Sequence, residues 1–331
     1  MSKKFNVYGI GNALVDIVTE VDDQFLNDNE IEKGLMTLIE EDRQTALYHT
    51  IKTRDNVMQC GGSAANTMIG VSQFGGKSYY SCKVSDDALG HFYMGDINKN
   101  GVDSNLEAST LPHGITGKCL VMTTPDASRT MNTFLGITAT YSRDEVNEEA
   151  IQQSEYVYIE GYLVTSENGL DAMKYTKELA EKHDVKVALT FSDPSMVKYF
   201  KDQMHDVVGS GVDLLFCNEE EAMLFTDTNN ISDAREALKK YAKKFAITQG
   251  PNGAMIFDGD TFVDIEPYKV KAIDTNGAGD LFAGAFMYGI TNGRSYAESG
   301  KLASLASSKV VTKYGPRLNL SQAQQVLKDL V

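Results

Sequence analysis

The chain has 331 residues, 42% apolar and 23% charged with only six prolines, which describes a folded globular protein and excludes long linkers or tails. Forty-six acidic against thirty-one basic residues leave a net charge of −15, which repels phosphate backbones and anionic membranes and argues against nucleic-acid and membrane partners. Cys60, Cys82, Cys119 and Cys217 lie far apart with no C-x-x-C pair, so neither a zinc site nor a disulfide framework is expected, and reduced cytoplasmic thiols are.

The N-terminal stretch MSKKFNVYGIGNALVDI lacks the small-residue cleavage site of a signal peptide. A first strand is predicted from Phe5, interrupted by Asn12 and Asp16. Residues 18–58 contain strand-like LMTLIE and one good helix, EEDRQTALYHTIK, and are otherwise read as a β-hairpin. A strand follows at YYSCKV from Tyr79. Residues 114–138, rich in Thr, Val and Gly with a turn at Pro125 and Asp126, read as a second hairpin. From Tyr156 onward the strands YVYIE, VKVALTF, DLLFC and FAIT alternate with the helical spacings ENGLDAMKYTKELAEKH and SDAREALKKYAKK. YKVKAI from Tyr268 is strand-like. LFAGAFMYGI from Leu281 reads as a buried helix, far short of the roughly 20 residues needed to cross a membrane.

Apolar strands alternating with amphipathic helices imply an α/β fold whose mostly parallel sheet is covered on both faces. The two hairpin regions are distant in sequence yet alike in character, so they are expected to pair into a small β-sheet lid. The large domain then comprises residues 1–17, 59–112 and 139–331, and the lid subdomain residues 18–58 and 113–138.

Several familiar motifs fail. GVSQFGGKS would be a phosphate-binding P-loop only with glycine where Val71 stands, and YGIGNAL places Leu14 at the third glycine of a dinucleotide fingerprint. The five histidines show no metal-ligand spacing, and no G-x-S-x-G elbow is present.

DTNGAGD from Asp274 is a stronger signal. Asn276, Gly277, Ala278 and Gly279 offer backbone N–H groups with little side-chain cover at a helix start, which is an anion site, with Asp280 beside it. CGGSAAN from Cys60 lets backbone at Gly61 and Gly62 approach a polar ligand while Asn66 offers donor and acceptor. Asn12 and Asp16 are two spaced hydrogen-bonding groups that suit vicinal hydroxyls of a sugar. Asn218 and Glu221, in CNEEEAMLF, sit at a strand's carboxyl end and are spaced to organise a hydrated Mg²⁺ through its waters. Thr248 and Gly250 occupy the next strand end in the same way.

In order and spacing, GGSAAN, the N-x-x-E at Asn218 and DTNGAGD resemble the ribokinase-like (PfkB) family of sugar and nucleoside kinases. GNALVDI, EGYLVT and FSDP resemble its adenosine kinase branch. The resemblance implies a three-layer α/β/α fold with a β lid, a cytoplasmic enzyme, ATP and Mg²⁺ as cofactors with K⁺ as a candidate monovalent cation, and a monomer or homodimer. It implies Asp280 as the base that takes a proton from the attacking hydroxyl, with Asn276, Gly277, Ala278 and Gly279 as the anion hole. Arg129 is implied to reach the phosphates from the lid. Asn12, Asp16, Gly61, Gly62 and Asn66 are implied at the ribose, and Asn218 with Glu221 at Mg²⁺ and phosphate. Thr248, Gly250, Gly253 and Thr275 are implied on the nucleotide side.

The implied acceptor is the 5′-hydroxyl of adenosine or a related purine nucleoside, with an apolar base pocket from Leu14, Met36, Leu38, Tyr162 and Phe191. This chain departs from that branch by placing Ser195 and Met196 after Pro194, and Leu163 after Tyr162, where aromatic rings are usual. The alternative is a sugar kinase acting on a ketose, pentose or sugar phosphate. A phosphorylated sugar ranks lower, because residues 7–31 contain no basic side chain.

Overall fold

A computed structural model describes residues 3–126 and 128–330. Its strands in chain order are β1 (Phe5–Ile10), β2 (Leu14–Glu20), β3 (Met36–Leu38), β4 (Asn56–Gly61), β5 (Ser78–Ser81), β6 (Val102–Ser104) and β7 (Gly117–Thr123). They continue with β8 (Arg129–Phe134), β9 (Ser154–Glu160), β10 (Lys186–Thr190), β11 (Leu214–Asn218), β12 (Phe245–Thr248), β13 (Ala254–Phe257) and β14 (Phe262–Ile265). Among the described residues, nine strands form one sheet in the order β14-β13-β12-β11-β10-β9-β1-β5-β6. All neighbours from β6 to β12 are parallel, and the antiparallel pairs are β12–β13 and β13–β14 at one edge, where β13 alone is reversed.

This sheet separates two apolar cores. Because side chains alternate across a strand, Val7, Tyr158, Ala188 and Leu214 enter one core, while Tyr8, Val157, Leu189 and Leu215 enter the other. Helices Ser63–Gln73 and Ala278–Thr291 pack on the first face, and Glu167–Lys182 on the second. The architecture is therefore the expected three-layer α/β/α, with helices on both sides of a large, mostly parallel sheet, and a smaller second sheet.

The second sheet has the order β3-β8-β7-β2-β4. The β7–β8 hairpin matches expectation, but residues 18–58 do not form one. They contain two helices, Asp23–Asp28 and Glu41–Ile51, with β3 between them, and β4 at the end of the stretch pairs antiparallel with β2, most of which precedes it. The first strand also ends earlier than the sequence pattern suggests. Asn12 lies in the crossing after β1, and Asp16 belongs to β2, a continuous strand of the small sheet that runs through residue 17. YKVKAI is not a strand; Tyr268, Val270 and Ile273 are exposed there, and the β13–β14 hairpin occupies the sheet edge instead.

Candidate active site

A cleft of about 350 Å³ opens between the carboxyl ends of β9 to β12 and the inner face of the small sheet. Glu160, Thr190, Asn218 and Thr248 line it from the strand ends, and Leu14, Asp16, Met36, Leu38 and Arg129 from the small sheet. This is where the open edge of an α/β sheet presents side chains to a ligand.

The helix Ala278–Thr291 points its N-terminus into the cleft. Its cap, Gly277, has φ 71°, and a Cβ there would fall 2.3 Å from the Pro316 carbonyl oxygen, so no other residue fits. The preceding loop is held by buried Asp274, whose two carboxylate oxygens accept from the amides of Asn276 and Gly315, both at 2.9 Å. The Asn276 amide is therefore already committed, and the Ala278 amide donates to Thr275 O at 3.3 Å. Of the four expected anion-hole amides, Gly277 and Gly279 are those without an acceptor among the described residues.

Asp280 is the third residue of this helix and a cleft residue. Its Oδ1 accepts from Ser63 Oγ at 2.7 Å and its Oδ2 from Asn66 Nδ2 at 2.9 Å. Burial raises its pKa above the usual carboxylate range, while the two hydrogen bonds and the Arg129 charge pull it back. Asn66 thus spends its amide hydrogen on Asp280, but its Oδ1 is buried with no partner among the described residues. The helix carrying Ser63 and Asn66 begins after Gly62, whose φ of 103° and 2.1 Å Cβ approach to Asn12 O again admit only glycine.

Across the cleft, Asp16 is 7% exposed and its carboxylate makes no hydrogen bond within the described residues, and burial pushes its pKa up to about 7 against the opposing pull of Arg317 and Arg129. Gly61 makes the space for it, since a Cβ at Gly61 would lie 2.2 Å from Asp16 Oδ1. The Asn12 side chain spans Glu160 Oε1, to which it donates at 3.4 Å, and the Thr138 hydroxyl, from which it accepts at 3.4 Å. Glu160 also accepts from the amides of Asn12 and Ala64, and burial pushes it up to about 7.

Asn218 and Glu221 form a capping box on the helix Glu219–Thr226, each side chain bonded to the other's backbone amide at 2.9 Å. Both line the cleft, and burial pushes Glu221 up to about 8. Among the described residues no cluster of three or more His, Cys, Asp or Glu side chains is placed to hold a metal ion. The set present suits a cation that keeps its waters and is carried by phosphate oxygens, the usual habit of Mg²⁺.

The sequence profile described as pfkB family carbohydrate kinase matches residues 35–323. The chain belongs to this family of carbohydrate kinases. Members transfer a phosphoryl group to a hydroxyl, so it is a phosphotransferase with an alcohol acceptor. It is 27% identical to adenosine kinase 2 of Arabidopsis thaliana, over 93% of this chain and 94% of that one. It is 24% identical to 5-dehydro-2-deoxygluconokinase 1 of Bacillus cereus, over 100% of this chain and 98% of the other. Among solved structures, an adenosine kinase from Sinorhizobium meliloti superimposes with a TM-score of 0.90 at 35% identity, covering 97% of this chain and 99% of that one.

The fold of this kinase gathers most of the residues singled out from sequence around one cleft. Asn12, Leu14, Asp16, Met36, Leu38, Gly62, Asn66, Arg129, Tyr162, Asn218, Glu221, Thr248, Thr275, Asn276, Gly277, Ala278, Gly279 and Asp280 all line it. Four do not. Phe191 is fully buried in the core, 4.5 Å from the Phe225 ring, because the next residue after cleft-lining Thr190 faces the opposite side of the sheet. Gly61 lies behind Asp16, and Gly250 and Gly253 shape the turn after β12 at φ 54° and 94°.

Ser63, Glu160 and Asp274 were missed as site residues. Ser63 stood inside the quoted GGSAAN, and Glu160 was visible as an acid ending the apolar strand YVYIE; both signals were available. Ala127, within the lid stretch DASRT, lies outside the described residues.

Proposed function

We propose that this kinase phosphorylates the 5′-hydroxyl of adenosine or a close purine nucleoside with ATP and Mg²⁺. The observation that carries the reading is the Asp280 arrangement: a carboxylate gripped by Ser63 and Asn66 beside the unpaired Gly277 and Gly279 amides at a helix N-terminus. The acceptor oxygen attacks the γ-phosphorus, the bond to the bridging oxygen breaks as ADP leaves, and the hydroxyl proton passes to Asp280. A raised pKa suits a base working near neutral pH. The free amides and Arg129, whose Nε is buried without a partner among the described residues, stabilise charge on the transferring group.

Asp16 and the open Asn66 Oδ1 are the acceptors for ribose hydroxyls, and Leu14, Met36, Leu38 and Tyr162 receive the base. Mg²⁺ bound to the nucleotide would be oriented through its waters by Asn218 and Glu221, and would neutralise charge on the phosphates. A cation there also favours ionised Glu221. The cleft volume lies at the small end of the roughly 300–1,000 Å³ range of small-molecule sites.

A second reading is a sugar kinase. Withdrawal of Phe191 into the core leaves Tyr162 as the one aromatic ring of the predicted base pocket, and the Bacillus cereus relative acts on a sugar-derived acceptor by its name. Incubation with ATP, Mg²⁺ and a panel of nucleosides, ketoses, pentoses and sugar phosphates decides between them. ADP release should be fastest with adenosine, and a clear preference for a sugar sinks the nucleoside reading.

A further inference from the structure

Residues 311–319 connect the helix Tyr296–Val310 to the helix Leu320–Asp329 and touch both halves of the cleft wall. On the anion-hole side, Val311 O accepts from the amides of Ile273 at 2.7 Å and Asp274 at 3.2 Å, and the Gly315 amide donates to Asp274. Pro316 lies against Gly277, where a Cβ would stand 2.3 Å from Pro316 O and 2.4 Å from Pro316 Cβ. The next residue, Arg317, reaches the other way, to the end of β4.

Arg317 is 9% exposed. Its Nη2 donates to the Cys60 carbonyl oxygen at 2.6 Å and to Asp96 Oδ2 at 3.2 Å, and its Nη1 to Cys60 Sγ at 3.2 Å. The same Asp96 oxygen accepts from the Cys60 amide at 2.9 Å. Arg317, with Asp96 of the helix Ala88–Lys99, therefore holds both backbone polar groups of one residue. That residue precedes Gly61 and Gly62, which stand close against the Asp16 carboxylate and the Asn12 carbonyl oxygen. Three consecutive residues, Gly315, Pro316 and Arg317, thus tie the loop under the anion hole to the strand end behind Asp16.

A buried ion pair is often no more stabilising than an apolar pair of the same volume, so stability alone does not call for an arginine here. What the guanidinium supplies is a rigid fork that bonds carbonyl, thiol and carboxylate at once. We propose that Arg317 is a positioning residue that sets the distance between the end of β4 and the anion hole, and so brings the attacking hydroxyl to the transferring phosphoryl group. The proposal rests on the phosphoryl-transfer reading of the cleft but not on the acceptor being a nucleoside. The simpler alternative is a staple that fastens residues 311–319, contributes to folding and leaves the chemistry of the folded enzyme alone.

Arg317→Lys keeps the positive charge that acts on Asp96 and Asp16 but replaces the fork with a point charge on a flexible stem. Calorimetric binding of ATP with Mg²⁺ alone and of the best acceptor of the panel alone, together with steady-state kinetics, provides the readout. Each Kd should change less than about threefold while kcat falls about tenfold, because a small misplacement of two bound reactants is felt only when they must meet. Asp96→Asn weakens the shared acceptor by removing its charge and should lower kcat about threefold in the same way. Because both act through Cys60, the double variant should lose much less than the product of the two single effects.

A wild-type kcat in Arg317→Lys together with a lowered Tm leaves only the staple and overturns the proposal. So does a weakened acceptor Kd with kcat unchanged, which would place the effect in the acceptor pocket alone, and so do fully independent effects of the two substitutions. If Arg317→Lys does not fold, Asp96→Asn carries the same test, with wild-type kcat as the refuting result. A panel that selects a sugar ends the nucleoside reading and leaves this test intact, run with that sugar.

Discussion

Asp280 and Glu221 stand at the same place in two different helices. Each is the third residue of its helix, each faces the same cleft, and burial raises the pKa of each. They differ in what the residue three positions earlier can do. Asn218 accepts from the Glu221 amide and gives its own amide to the Glu221 carboxylate, so that acid is used up in closing its own helix. Gly277 has no side chain to reciprocate. The Asp280 carboxylate is left to partners from another helix, Ser63 and Asn66, more than two hundred residues away in the chain. The comparison teaches that an acid in a first helical turn is a cap or a chemical tool according to its N-cap neighbour.

The largest effect should come from breaking the Asp280 side. Asp280→Asn is nearly isosteric but cannot take a proton, and should lower kcat by about 10² to 10⁴ with Tm nearly unchanged. The matching Glu221→Gln should cost far less in kcat. Equal losses in the two variants would erase the distinction drawn between the two acids.

Ser63→Ala sharpens the comparison one step further. It removes one of the two donors that hold Asp280 and leaves Asn66 in place, so kcat should fall about tenfold with little change in the KM for ATP. A wild-type kcat in Ser63→Ala would show that the carboxylate orients itself without the serine.

How much of this was legible in the sequence follows the same logic. The parallel sheet could be read because alternating apolar strands and amphipathic helices are local patterns, and DTNGAGD could be read because turn, glycines and acid are contiguous. Ser63 and Glu160 were in view as residues but not as parts of the site, since their partners lie far along the chain. β2 was broken at Asp16 because a buried acid in a strand looks like an interruption; Gly61 on the neighbouring strand is what makes room for it. Phe191 was placed in the base pocket by its neighbourhood in FSDP, whereas strand alternation turns it into the core and leaves Thr190 at the cleft. The capping box was readable as S/T/N-x-x-E, and it is the ordinary meaning of that spacing.

The pH dependence of stability separates the acids without mutation of the chemical centre. Asp16 and Glu160 have folded pKa values of about 7 and Glu221 about 8, against ordinary values near 4 when unfolded. A carboxyl that binds its proton more tightly when folded contributes stability that is complete below about pH 4 and is lost as pH rises through the folded pKa. The ligand-free protein should therefore lose Tm between about pH 4 and 8, and Glu221→Gln should flatten the upper part of that fall, between about pH 7 and 8. A Tm that climbs over this window would contradict the burial of all three carboxyls.

The smallest effect is expected from the cap itself. Asn218→Ala removes the acceptor for the Glu221 amide and leaves the Glu221 carboxylate on the position-218 backbone amide, so half of the reciprocal pair survives. The loss should be about 1 kcal/mol of stability, or roughly 2–4 °C in Tm. If Asn218 also orders a hydrated cation, the Mg²⁺ concentration for half-maximal activity should rise, by less than about threefold because water-mediated contacts are readily replaced. A large loss of kcat in Asn218→Ala, comparable with Asp280→Asn, would mean that the capping box is itself part of the chemistry and that the two acids do the same kind of work.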